Sequence, residues 1–203
     1  MVFLLTKRIN NMRYIVIISL FTAFAINVNA QSDREYIDRR EFYLIRARAD
    51  TTGTIKAHLI TSLPSAETLF GPPNSATKEF NSMIEIKLTH VRYDDGLILN
   101  IPDPGKGSHL AFRVTSDKYF LVLGNGKEIK VGMSAIELES MFPKSYAKRR
   151  HLTGESYPGD KYVVSVYFYT KLENEIIWEE DSQLIFVFTK NGILESFYSW
   201  EPM

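Results

Sequence analysis

The sequence predicts an α+β protein built of tandem helix-plus-antiparallel-sheet repeats, with the helices packed on one face of the sheet. Three observations predict it. "SLPSAETLF" at 62–70 and "SAIELESMF" at 134–142 each open on a serine, carry Glu at the sixth position and close on Phe, 72 residues apart. Segments with apolar residues at every second position follow both, which is the period of a half-buried strand. The turn dipeptides Asp95-Gly96, Asn125-Gly126 and Asn191-Gly192 punctuate those segments as hairpins would.

Taken in order, residues 1–30 read as a secretory signal peptide. Lys7, Arg8 and Arg13 precede an apolar run from Tyr14 to Ile26, shorter than the about 20 residues of a bilayer span. "VNA" then places Val28 and Ala30 for cleavage after Ala30. Met12 opens a complete version of the same pattern, so the start is either Met1 or Met12. Residues 31–40 are a charged leader, 41–126 the first repeat and 127–203 the second. In the first, strands are expected near 41–48 and 54–59, turning at Thr52-Gly53. Ser62 is the expected N-cap of a helix whose Leu63, Ala66, Leu69 and Phe70 share a face, with Pro64 tolerated in the first turn. "GPP" stops it. In "MIEIKLTHVRYDDGLILNI", Ile84, Ile86 and Leu88 point one way and Glu85, Lys87 and Thr89 the other, as in an antiparallel sheet with one wet face.

After the loop "PDPGKGS", "HLAFRVTSDKYFLVLGNGKEIKV" is expected to form strands turning at Ser116-Asp117 and Asn125-Gly126. Ser134 caps the second helix and Glu137 completes a capping box. Ala135, Leu138, Met141 and Phe142 take the offsets of Leu63, Ala66, Leu69 and Phe70, and Pro143 ends the helix. A basic loop, "KSYAKRRHLTGESYPGD", leads to the strand "KYVVSVYFYT". The closing hairpin "QLIFVFTKNGILESFYSW" matches "HLAFRVTSDKYFLVL" at an offset of 74, with Leu184 on Leu110, Phe186 on Phe112 and Thr189 on Thr115.

"VGMSAIELESMFP" and "FVFTKNGILESF" resemble the SmpA/OmlA (BamE-type) domain, and the tandem layout is similar to that of the β-lactamase inhibitor protein family. The resemblance implies a fold and a role, non-catalytic protein binding in the envelope or outside the cell. No functional residue carries over, because only caps and turns match. Gln31 stands where a BamE-type lipoprotein has its lipidated cysteine, and the disulfides of the inhibitors are absent here.

Composition narrows the chemistry. Removing residues 1–30 leaves 21 basic against 24 acidic residues, a formal charge of −3, which gives no reason to expect nucleic-acid binding. With no cysteine there is no disulfide, thiol nucleophile or lipidated thiol. A mature form that is soluble and not lipidated, periplasmic or secreted from a bacterium, is the expectation. His58, His90, His109 and His151 are scattered, and none stands at metal-ligand spacing. His151 with Glu155 lacks a third ligand. Ser108 and His109 are neighbours on a strand and point apart, so the histidine does not serve that serine as a base. "GKG" at 105–107 and "GNGK" at 124–127 lack a phosphate-loop pattern, and Asp94-Asp95 lacks a calcium ladder. The four cations of "KSYAKRR" read as a solvated loop paired with nearby acids, or as a patch for an acidic partner. No metal, cofactor or catalytic residue is expected.

The aromatic residues are the candidates for a partner-binding site. Val164, Val166 and Phe168 form one face of a strand, and Ser165, Tyr167 and Tyr169 the other. Tyr198 and Trp200 alternate in the same way on the last strand. Tyrosine and tryptophan dominate binding hot spots, so Tyr167, Tyr169, Tyr198 and Trp200 are expected to meet a protein partner unless the leader or cross-strand packing covers them. The functional expectation is an exported, non-enzymatic protein-binding module, either an assembly factor or an enzyme inhibitor. The alternative is a small-ligand-binding or hydrolytic periplasmic protein with a pocket between the repeats, where His90, His109 and a carboxylate would converge.

Overall fold

Alternating apolar residues build most of this molecule. In the computed structural model, which describes residues 34–46, 60–82, 86–103, 110–152, 159–171 and 177–200, strands dominate. The chain divides into two units, Met1–Arg34 and Glu35–Met203, and every element below lies in the second. In chain order these are β1 (Tyr36–Asp38), β2 (Tyr43–Arg46), α1 (Leu63–Phe70), β3 (Ser75–Asn81), β4 (Ile86–Tyr93) and β5 (Leu97–Pro102). Then come β6 (Ala111–Val114), β7 (Tyr119–Val122), β8 (Glu128–Lys130), α2 (Ala135–Met141), α3 (Pro143–Ala147) and β9 (Arg150–Leu152). The last three are β10 (Lys161–Lys171), β11 (Ile177–Phe188) and β12 (Leu194–Trp200).

A nine-stranded sheet runs β1-β10-β11-β12-β6-β5-β4-β3, with β9 also pairing β10. It is mixed, because β1 joins β10 in parallel while its other pairs are antiparallel. A second sheet, β2-β7-β8, has three strands. Leu44, Leu121 and Ile129 stand opposite one another in that sheet and are fully buried. They belong to one core with Val91, Leu99, Phe112, Val164, Phe186 and Phe197 of the large sheet.

This overturns the expected tandem helix-plus-sheet repeats with helices packed on one face. The described residues are mostly strand, and the helices are short, of eight, seven and five residues. The reason is area. Helix α1 buries only Ala66 and Phe70 and α2 only Ala135 and Leu138, too little to cover nine strands, so the second sheet shares the work. The helix half of the sequence match is visible locally. Ser62 and Ser134 each cap a helix with a reciprocal box, to Ser65 and Glu137 respectively. Phe70 and Phe142 both enter the core, the first edge-on to Tyr93 and Tyr119, the second stacked on Phe186.

The hairpin half fails. β11 and β12 pair across Asn191-Gly192, but β6 and β7 do not pair across Ser116-Asp117. There the chain crosses from one sheet to the other. The Asp95-Gly96 turn holds the crossing: Thr115 N donates to Gly96 O at 2.9 Å, Ser116 Oγ to Asp95 O at 2.5 Å and the Tyr119 hydroxyl to Asp95 Oδ1 at 2.6 Å.

Two further expectations change, and one segment that the sequence leaves open is a strand. Ile86 is buried and Lys87 exposed as the start of that strand assigns, but from there burial changes face: Leu88 is half-buried, whereas Thr89 is buried with Val91 and Tyr93. The polar segment 75–81 is an edge strand, exposed wherever its side chains are described. The basic loop contains a helix and a strand, with Pro143 opening α3 after Phe142 caps α2. The strand expected at 54–59, the turn at Thr52-Gly53 and the signal peptide lie outside the described residues.

Candidate functional site

The core face of β10 carries Tyr162, Val164, Val166 and Phe168, so Val163, Ser165, Tyr167 and Tyr169 stand on the far face. Register carries that face across the sheet. Tyr36, Tyr167, Gln183 and Trp200 form one row, from β1 through β10 and β11 to β12. Ser165, Ile185, Tyr198, Arg113, Ile98 and Arg92 form the next, continuing to Ser75 on β3. The far face therefore brings together all four aromatic residues singled out in the sequence.

Their environments differ. Tyr167 and Tyr169 are half-buried, and the Tyr36 ring lies 6.2 Å from the first and 6.4 Å from the second. The leader supplies that ring. Its strand is anchored by Tyr167 N donating to Glu35 O at 3.2 Å and Arg39 N to Tyr169 O at 3.0 Å, while the Arg39 guanidinium covers the Phe168 ring at 4.3 Å. Burial, then the charges of Asp38 and Glu41, push the Tyr169 hydroxyl pKa up. Tyr198 is half-buried beneath the Arg113 guanidinium at 5.2 Å. Trp200 is open, with 43% of its surface exposed, and Ile98 in the neighbouring row is 38% exposed.

Beside Tyr198 the face dips into a groove of about 720 Å³. Its floor is a small apolar cluster, Val163, Ile185 and Val187, against which Leu152 and Tyr198 pack. Arg150 opposes Val163 from β9, and Arg113 opposes Tyr198 from β6. Lys161 bridges to Glu195 at 2.7 Å over β11 and closes one end. Sequence reasoning missed this groove. Its floor had a signal, since "YVV" and "LIFVF" are apolar without alternation and so bury side chains on both faces.

Two of the four histidines lie among the described residues. His90 meets Asn100 Oδ1 through Nδ1 at 2.7 Å and Glu79 Oε2 through Nε2 at 3.1 Å, near the β3 edge. His151 lies 5.9 Å from the Tyr162 ring. His58, His109, Ser108, Glu155 and the "GKG" stretch lie outside the described residues. Among the described residues no group of three metal-capable side chains occurs, and no helix is long and apolar enough to cross a membrane. Gly126, at φ 80°, serves the β7–β8 turn in "GNGK", and Arg149 of the basic segment stacks on Tyr146 at 4.8 Å. Burial and a hydrogen bond with Tyr146 push the Tyr162 hydroxyl pKa up.

No family model matches the chain, and neither the curated proteins nor the solved structures contain a match. The functional reading therefore rests on this face alone.

Proposed function

We propose that this chain is an exported, non-enzymatic protein-binding module of the bacterial envelope or extracellular space. It acts as an assembly factor or an enzyme inhibitor, through the far face of the large sheet. The observation that carries the reading is Trp200: a large indole, 43% exposed, in the same sheet face as Tyr198, Tyr167 and the exposed Ile98. Tryptophan and tyrosine supply wide contact area with few rotors to freeze, and arginine commonly accompanies them at interface centres. Arg92 and Arg113 stand in the adjoining row. Tyr167 and Tyr169 contribute less directly, since Tyr36 already packs on both.

The test is affinity capture from the producer's envelope and medium with the wild-type protein and with Trp200→Ala, followed by measured affinity for whatever is captured. Loss of a hot-spot indole lowers affinity by about 2 kcal/mol, roughly thirtyfold, with the fold intact. A partner held equally well by both proteins removes Trp200 from the interface, and with it the aromatic part of the reading.

A further inference from the structure

The groove beside Tyr198 has a chemistry of its own. Two arginines face each other across an apolar floor, and neither Arg113 nor Arg150 forms an ion pair with a carboxylate among the described residues. The third cation, Lys161, is already held by Glu195 at 2.7 Å. Strands about 4.8 Å apart put the β9 and β6 backbones roughly 19 Å from each other, four spacings. Arg113 leans inward over Tyr198, so the open distance between the cationic walls is shorter. The floor of Val163, Ile185 and Val187 is shallow and broad, and its wall residues lie on strands, so the site is a trough rather than an enclosed cavity.

We infer that this groove receives an extended acidic segment of a partner protein, one with carboxylates at both ends and an apolar residue between them. The carboxylates pair with Arg113 and Arg150, for which guanidinium geometry is suited to bidentate contact. The central apolar side chain covers Val163, Ile185 and Val187. An extended chain rises about 3.3 Å per residue, so at most about six residues cross the trough. This assignment rests on the protein-binding reading of the same face and supplies the charge of the partner, which that reading leaves open.

The probe is a fluorescein-labelled six-residue peptide with Leu-Phe between two pairs of glutamates, followed by anisotropy. Its control carries glutamine in place of every glutamate. The acidic peptide binds and weakens as salt rises, and the glutamine peptide does not bind. Arg113→Glu and Arg150→Glu each lower affinity about tenfold, since charge reversal at a rim position turns attraction into repulsion. The double variant instead binds a peptide with lysines at the glutamate positions, which shows that the variant protein is folded. Equal binding of the glutamine peptide, or unchanged affinity in both variants, overturns the inference. So does saturation of the groove by decanoate with no peptide binding, which would make the occupant a small amphiphile. If capture depends on Trp200 while the acidic peptide fails, the groove assignment falls alone. If the peptide behaves as expected while Trp200→Ala captures partners unchanged, the aromatic reading falls and the groove stands.

Discussion

Glu137 shows how one cap couples folding to pH. It accepts from the Ser134 backbone N–H at 2.8 Å and from its hydroxyl at 2.7 Å, and these bonds, the backbone one first, hold its carboxyl below the usual glutamate range. A lowered folded-state pKa stabilises fully above the unfolded value, and that stability is lost as pH falls through the lowered one. Melting temperature therefore declines on acidification below about pH 4, and the decline is smaller in Glu137→Gln. Ser134→Ala removes the hydroxyl that accepts from Glu137 N and lowers denaturant stability by about 1 kcal/mol. On the far face, Trp200→Ala changes stability by about 1 kcal/mol or less, as expected of an exposed side chain. Tyr167→Ala and Tyr169→Ala lower the melting point further, because each also removes a ring that Tyr36 packs against.

Among the elements, β1 and the turn before β5 have the clearest consequences. β1 is three residues long, yet Ile37 is buried in the core opposite Phe168, and Glu35 Oε2 accepts from Ser145 N at 2.9 Å. Ile37→Ala should cost about 2–4 kcal/mol. In hydrogen exchange the Tyr167 and Arg39 amides, bonded to Glu35 O and Tyr169 O, are protected in the wild type and exchange faster in that variant. Fast exchange of both amides in the wild type would show that the leader does not hold the edge. Gly96 has φ 107°, and a Cβ there would lie 2.7 Å from Ser116 Cβ. Gly96→Ala thus strains the turn and presses on the crossing to β7, which a lower unfolding midpoint would register.

For the whole molecule, the decisive seam is β6 against β12. Phe197 opposes Val114, Tyr198 opposes Arg113, and Phe112 N donates to Ser199 Oγ at 2.9 Å. Both halves of the chain share this seam and one core, so unfolding should be a single transition by circular dichroism and by tryptophan fluorescence. Phe197→Ala, which opens space beside Phe112 and Phe186, should lower stability by roughly 3–5 kcal/mol while keeping one transition. Two separated transitions would mean that the halves fold independently. At the same scale, the proposed cleavage after Ala30 would leave β1 whole, since it begins at Tyr36. N-terminal sequencing of the exported product is expected to start at Gln31, and a membrane-held product retaining Met1 or Met12 would contradict it.

What the sequence determined by itself was local. Side-chain oxygens at Ser62 and Ser134 meet amides three residues on, so both helix starts were legible. Alternation along "YVVSVYFYT" separates Val164, Val166 and Phe168 from Ser165, Tyr167 and Tyr169 through backbone geometry alone, whatever lies beside the strand. Partner choice is a different matter. Alternation is the same for a strand in a hairpin and for one that crosses to another sheet, so β7 read as the mate of β6 although it pairs with β2 and β8. The parity of Thr89 depended on where Val91 and Tyr93 found the core. Only long-range pairing set Tyr36 over Tyr167 and aligned Arg113 and Arg150 on opposite sides of one apolar floor. Those residues are distant in sequence, and the burial that joins them is shared among strands that no single segment encodes.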